Sequence, residues 1–294
     1  MSKPAKTLVL AAGSLGDSVL TLPALQLLQD RQPVTVAGTS PYQELGASLL
    51  GVEGVMPLDP LLQSLYGPSP DLSFFEGYND IYLFFKDPDP KLTEGLARLS
   101  HRQVRQPAKS FGEFLEETKW AGEYWLRLAL ESEVTPSDLS KHPNLKIGAE
   151  LKEQGKALCD SLKCPRPFVL HPGSGSRSKN APLSFFRKAA EKAYAEAGRP
   201  VLILWGEAER EWFKEIQEAF KGLPGVEWPA TPLALKQVVA VLSQASGYLG
   251  NDSGITQLAS ACGAKTFAVF NTTDSRIWGP QEAFILEAMK TLYS

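Results

Sequence analysis

Cysteine, methionine and histidine are each present only three times in 294 residues. Three cysteines (Cys159, Cys164, Cys262) cannot build a disulfide framework, and the odd number suits a reducing compartment. Cys159 and Cys164 stand five apart with no set of cysteines or histidines beside them, so no metal site is expected. No run of about 18 apolar residues is present, so no membrane-spanning segment is expected. The first apolar run, Leu8 to Ala12, is too short for a secretory leader and is broken by Gly13 and Asp17, so it reads as a buried strand of a cytoplasmic protein. Charge of one sign is not in excess: 30 basic residues face 33 acidic ones, net −3, which gives no electrostatic reason to expect nucleic acid as a partner. The phosphate loop G-x-x-x-x-G-K-[ST] is absent. G-x-G-x-x-G is absent too: Gly173 and Gly175 fit it, but Ser178 takes the third glycine's place. These gaps disfavour a P-loop kinase and a dehydrogenase. With 43% hydrophobic and 21% charged residues, the composition is that of a folded chain and excludes a disordered one.

Short apolar runs alternate with segments of helical period. Leu8–Ala12, Val34–Ala37, Val52–Leu58 and Ile81–Phe85 read as strands, with helices after the first and near Pro41–Leu50. Helices are also predicted over Lys91–Arg105 and Phe111–Glu131. A polar, proline-bearing linker falls within 135–167. After it the alternation restarts, with strands at Phe168–His171, Pro200–Trp205, Gly247–Gly250 and Thr266–Phe270 and a final helix over Gln281–Leu292. Such alternation is the signature of parallel βαβ units, and the chain reads as two open α/β sheets. In such sheets ligands sit at the carboxyl ends of the strands, which directs attention to the strand-to-helix loops.

Three of those loops are chemically unusual. Gly13-Ser14-Leu15-Gly16-Asp17-Ser18 places a carboxylate at a helix start, where it either caps free amides or serves as a base or a hydroxyl acceptor. His171-Pro172-Gly173-Ser174-Gly175-Ser176-Arg177-Ser178-Lys179 combines small residues, which let backbone amides approach an anion, with two cations. Gly250-Asn251-Asp252-Ser253-Gly254 opens a helix after a strand, so Asp252 or Ser253 is either its cap or part of a phosphate and sugar cradle.

Read in order, G-x-x-G-D-S-V-L-T-L-P-A-L (Gly13 to Leu25), H-P-G-S-G-S-x-S-K (His171 to Lys179), W-G-E-A-E (Trp205 to Glu209), N-D-S-G-I-T-Q-L-A (Asn251 to Ala259) and T-D-S-R-I-W-G-P (Thr273 to Pro280) resemble glycosyltransferase family 9, the ADP-heptose:lipopolysaccharide heptosyltransferases and their relatives. Residues 168–280 carry the resemblance well and the first 60 loosely, while 60–165 match no motif. It implies a GT-B fold, two Rossmann-like doubly wound domains facing each other across a cleft. The acceptor-side domain is then 1–150, the nucleotide-sugar domain 151–280, and a C-terminal helix over 281–294 crosses back to the first domain.

The resemblance further implies an inverting transfer of a sugar, heptose by expectation, from a nucleotide-diphosphate donor, ADP-linked, to a saccharide or glycolipid acceptor. No metal and no further cofactor are expected. Asp17 matches the general base and Lys179 the lysine that neutralises the leaving diphosphate. Ser174, Gly175 and Ser176 match the loop around the phosphates, and Asp252, Ser253 and Gly254 the helix start that meets phosphate and sugar. Glu207 or Glu209 matches the acidic residue near the ribose. Gln257 stands where the family has histidine; it can donate a hydrogen bond but cannot carry charge. Asn180-Ala181-Pro182 and Phe270-Asn271-Thr272-Thr273 are further departures from the family pattern.

Gly13 and Ser14, in the first loop, are also acceptor-side candidates. The first 147 residues hold 13 basic and 18 acidic residues, which makes that half a poor general attractor for an anionic acceptor. Residues 95–112 contain no acid, and Arg98, His101, Arg102, Arg105 and Lys109 at helical spacing predict one basic face: either a solvated face, or a contact for an anionic acceptor or the inner membrane face. Tyr78, Tyr82, Trp120, Tyr124 and Trp125 read as core before they read as sugar-stacking rings. Two other readings remain open at this level. One is a non-catalytic GT-B protein that binds a nucleotide or glycan. The other is a nucleotide-sugar epimerase or hydrolase on the same fold.

Overall fold

A computed structural model describes residues 5–66, 72–99 and 103–287. The chain divides into two compact units between Lys146 and Ile147, a few residues before the expected boundary.

The first unit is built on five parallel strands: β1 (Thr7–Ala11), β2 (Val34–Gly38), β3 (Gly54–Pro57), β4 (Asp80–Phe84) and β5 (Gln103–Arg105), in the order β3-β2-β1-β4-β5. β1 is buried along its whole length, as a central strand covered on both faces must be, and this explains its unbroken Leu-Val-Leu run. Leu8, Leu10, Ile81 and Leu83 join Leu61, Leu65, Phe75, Leu92 and Leu96 in one core. Truncating one such leucine to alanine costs about 2–5 kcal/mol. The chain leaves β1 to one side of the sheet for β2 and β3, then returns to the other side for β4 and β5. The sheet's switch point therefore lies between β1 and β4, whose ends are in register at Ala11 and Phe84.

The second unit has six parallel strands: β6 (Phe168–His171), β7 (Val201–Ile203), β8 (Val226–Glu227), β9 (Gly247–Asn251), β10 (Thr266–Phe270) and β11 (Phe284–Glu287), in the order β11-β10-β9-β6-β7-β8. Its switch point lies between β6 and β9, whose ends pair at His171 and Gly250. Helix Leu183–Ala197 packs on β6 and β7, and helix Ala149–Ser161 packs on helix Leu235–Leu242. Cys159 and Cys164 are buried free thiols.

Three expected helices differ. The stretch over 91–105 forms a helix only over Pro90–Ala97, because Gln103–Arg105 is drawn into the sheet beside β4. The stretch over 111–131 is two helices, Phe111–Leu115 and Ala121–Leu130, interrupted at Thr118, whose φ is 52°. The segment expected to open a final helix instead forms β11, with Phe284 stacked on Phe267 at 5.1 Å; residues 288–294 lie outside the described residues. Tyr82, Trp120, Tyr124 and Trp125 are buried, with Trp125 stacked on Phe84 at 5.2 Å, and Tyr78 packs against the core. These rings are structural.

Candidate functional site

In the first unit the loop after β1 turns directly into helix Leu15–Leu20. Gly13 makes the turn at φ 149°, and a Cβ there would lie 2.6 Å from the Cβ of Asp17, so no other residue fits. Ser14 is the N-cap residue, and Asp17 occupies the third helical position and reaches back to it. Asp17 Oδ2 accepts hydrogen bonds from the Ser14 amide and the Ser14 hydroxyl, both at 2.9 Å. Capping is therefore part of what Asp17 does. Its other oxygen, Oδ1, lies 2.7 Å from Lys86 Nζ. Lys86 arrives from the end of β4, directly across the switch point, and its ammonium also lies 4.9 Å from the centre of the Phe111 ring. Burial pushes the Asp17 carboxyl up, but the hydrogen bond from Lys86, those from Ser14 and the Lys86 charge outweigh it, and the net shift is downward. Asp17 is a fixed carboxylate at the carboxyl end of the sheet.

In the second unit three strand ends converge. Lys179 is delivered by a short 3-10 turn, Arg177–Lys179, after β6, and its Nζ lies 2.7 Å from Asp252 Oδ2 at the end of β9. Thr273, from the loop after β10, donates to the same oxygen at 2.6 Å. Both donors go to Oδ2, which leaves Oδ1 with acceptor capacity. Asn251, fully buried at the end of β9, clamps the β6 loop from inside: its Nδ2 donates to the Pro172 carbonyl at 2.7 Å, and its Oδ1 accepts from the Ala181 amide at 2.8 Å. Asn271 Nδ2 donates to the Lys179 carbonyl at 3.1 Å. Helix Gly254–Ala261 begins beside Asp252, with the Ser253 hydroxyl as its cap, accepting from the Thr256 amide at 3.3 Å. The first amides of a helix have no acceptor within it, so this end offers donors to an anion.

Several expected site residues do other work. Ser174 is buried, and its hydroxyl joins the Ser176 carbonyl and Asn180 Oδ1, each at 2.7 Å, so it shapes the loop. Gly175 and Ser176 are exposed at the loop tip, where Ser176 Oγ meets Ser178 Oγ at 2.9 Å. Arg177 is committed to Glu215 at 2.7 Å and lies over the Trp212 ring. Glu209 is 1% exposed and cannot meet a ribose: its Oε2 accepts from the Gly206 amide at 2.7 Å and lies 3.6 Å from His171 Nε2. Burial pushes the Glu209 carboxyl up, but the His171 hydrogen bond and charge and the backbone amides pull it lower overall. Of the two alternatives, Glu207 is the exposed one, held by Arg210. Gln257 is also buried, and its amide donates to the Trp278 carbonyl rather than facing a ligand.

Among the described residues the expected basic face is not formed: Arg98 follows a helix and Arg105 lies on a strand. Arg105 lies on β5, with Asp80 and Glu131 each 2.5 Å away and the Tyr82 ring beneath it. Lys109 pairs with Glu117 at 2.9 Å. Arg98 is exposed at the end of helix Pro90–Ala97, and His101 and Arg102 lie outside the described residues. Among the described residues no group of three or more His, Cys, Asp or Glu side chains could hold a metal ion, and no helix is long and apolar enough to cross a membrane. Lys86, Thr273 and Asn251 are the site residues that sequence reasoning did not single out.

The family model for glycosyltransferase family 9 (heptosyltransferase) matches residues 123–287, more than half of the chain. No curated protein matches it. Among solved structures, the chain is similar to ADP-heptose lps heptosyltransferase II of E. coli, with 18% identity and a TM-score of 0.75 over 96% of this chain and 90% of that one. It is similar to a glycosyl transferase family 9 protein of Veillonella parvula DSM 2008, with 16% identity and a TM-score of 0.74 over 99% and 89%. The E. coli heptosyltransferase WaaC with ADP matches at 17% identity and a TM-score of 0.65 over 96% and 93%. These likenesses give the fold as GT-B, built from two Rossmann-like units. With the motif loops at both switch points and the family match across more than half of its length, the chain belongs to glycosyltransferase family 9 and is a glycosyltransferase.

Proposed function

We propose that the protein transfers a sugar, heptose in the first instance, from an ADP-linked donor to a hydroxyl of a saccharide or glycolipid acceptor, with inversion. The observation that carries this reading is the contact of Lys179 with Asp252 at the switch point of the second unit, beside the exposed β6 loop and the start of helix Gly254–Ala261. A cation, loop amides and a helix start together suit a diphosphate, and a carboxylate with one oxygen open suits sugar hydroxyls.

In the reaction, Asp17 takes the proton of the acceptor hydroxyl while that oxygen forms a bond to the anomeric carbon. The bond from that carbon to the diphosphate breaks, and its electron pair leaves on the diphosphate. One displacement inverts the carbon. Lys179 and the loop amides stabilise the charge that develops on the leaving group. Lys179 exchanges part of its hold on Asp252 for the diphosphate.

An acceptor held by the first unit would meet Gly13 and Ser14 beside the base. Peripheral contact with the inner membrane face would present a glycolipid there; of the basic residues expected to support it, Arg98 is exposed, whereas Arg105 and Lys109 are engaged by carboxylates. The test is sugar transfer from ADP-, UDP- and GDP-linked donors to saccharide acceptors, with product stereochemistry read by NMR. Transfer from the ADP donor with inversion, lost in Asp17→Asn, is expected. Acceptor-independent breakdown of the donor, or retention at the anomeric carbon, contradicts the reading.

A further inference from the structure

We propose that Lys86 is a positioning residue that acts on the reaction through Asp17, holding Oδ1 as the oxygen that meets the acceptor hydroxyl. This deepens the transfer reading above and rests on it.

A carboxylate oxygen accepts about two hydrogen bonds. Asp17 Oδ2 already has two, from the amide and the hydroxyl of Ser14. Oδ1 has one strong partner, the Lys86 ammonium at 2.7 Å. The remaining acceptor capacity is therefore on Oδ1, and the incoming hydroxyl shares that oxygen with Lys86. Ser14 and Lys86 grip the carboxylate from both ends, so its plane is set before the acceptor arrives, which is the condition for efficient proton transfer.

Lys86 is itself well held. Its ammonium lies over the Phe111 ring, and its carbonyl accepts the Tyr124 hydroxyl at 2.9 Å. Through Asp17 and Lys86, the loop after β1 is tied to the loop after β4 at the point where the sheet's connections diverge.

The surroundings reinforce the lysine's influence. Helix Ser40–Leu50 brings Tyr42, fully buried, whose hydroxyl bonds Thr21 at 3.2 Å and is pushed far up by burial, so it stays neutral. Helix Ala121–Leu130 brings Tyr124, likewise pushed up by burial. Helix Leu22–Arg31 carries charge only at its far end, on Asp30 and Arg31. Among the described residues Lys86 is the charged side chain in contact with Asp17, while Glu123 and Arg127 on helix Ala121–Leu130 pair with each other; in the transfer step Lys86 disfavours protonation of Oδ1, so that the proton taken from the acceptor passes on readily to solvent. In exchange it makes Asp17 a base that remains available in mildly acidic solution.

The experiment uses the full chain, with Lys86→Met and Lys86→Arg beside wild type. The Asp17 carboxyl is titrated by carbon-13 NMR, and kcat/KM for sugar transfer is measured against pH. In Lys86→Met the Asp17 titration should rise by about one pH unit or more, as expected for loss of an opposite charge at this distance. The acid limb of kcat/KM should rise with it, while KM for the donor and the affinity for ADP stay at wild-type values. Lys86→Arg should restore the limb, which also separates the effect from a fold defect. An Asp17 titration unmoved in Lys86→Met overturns the proposal, and so does an acid limb that stays in place while the titration moves. Wild-type protein that transfers no sugar overturns the transfer reading itself, so the two failures are read from different measurements.

Discussion

Lys179 Nζ and Asp252 Oδ2 meet at 2.7 Å although 73 residues separate them in the chain. The contact joins the loop after β6 to the loop after β9 across the one place in the second sheet where the connections diverge. The first sheet repeats the device with Asp17 and Lys86, also at 2.7 Å across its own switch point. A cation–carboxylate pair at a switch point does two things. It holds two loops in register, and it keeps a charge of each sign at the carboxyl end of the sheet, where ligands of open α/β sheets bind.

Replacing Asp17 separates its two roles. Asp17→Ala removes the base and one side of the helix cap, so transfer should fall by at least about 100-fold. Stability should fall by about 1 kcal/mol. ADP affinity, which the proposal assigns to the second unit, should be unchanged in calorimetry. A variant that keeps most of its transfer rate shows that Asp17 is a cap and nothing more.

Gly173 and Glu209 form a steric lock under the loop after β6. A Cβ on residue 173 would lie 1.7 Å from Glu209 Oε1, so Gly173→Ala should cost about 1–3 kcal/mol and shift the loop. Denaturant unfolding reads the cost, and ADP affinity reads the shift. A variant as stable as wild type would mean that the Glu209 carboxylate yields freely.

Glu209 also gives a pH signature. Its folded carboxyl titrates below the ordinary range, so it contributes stability that is present above the unfolded value, near 4.3, and is lost as pH falls through the lower folded value. Thermal unfolding of wild type and Glu209→Gln between pH 7 and pH 3 should show the two curves converging at the acid end. A gap that is constant across that window excludes the linkage.

Arg105 is a structural residue of the sheet edge. Arg105→Ala leaves Asp80 and Glu131 without their cation and should cost about 1–3 kcal/mol, read in urea. KM for the acceptor should not change. A raised acceptor KM at wild-type stability would return Arg105 to the binding surface.

The two-sheet organisation is legible because buried parallel strands announce themselves as apolar runs, as the Leu-Val-Leu of β1 and the Val-Leu-Ile of β7 do. The motif loops were legible because glycines and helix caps punctuate them. What the sequence hid is pairing across strands. Lys86 was visible as the lysine after an apolar run, but its bond to Asp17 exists only because β4 lies beside β1, and strand order is not written in either segment. The same is true of Thr273 and Asp252, which meet because β10 lies beside β9. Glu209 and Gln257 looked like ligand residues because their motifs surround a site; burial turned one toward Gly206 and His171 and the other toward the Trp278 carbonyl. Charges spaced three and four apart suit a helix and so predict a helical face for Arg105, whereas pairing with β4 makes that stretch a strand.

The most direct test of the account is calorimetric titration of ADP, UDP and GDP into wild type, Lys179→Ala and Asp252→Asn. Wild type should bind ADP, and Lys179→Ala should lose at least about tenfold in affinity, the worth of one charge-assisted hydrogen bond to phosphate. Asp252→Asn, which removes the competing carboxylate charge, should keep its hold on ADP within about threefold while transfer falls. ADP binding that is unaffected by Lys179→Ala, or no binding of any of the three diphosphates, would contradict the assignment of the second unit's switch point as the donor site.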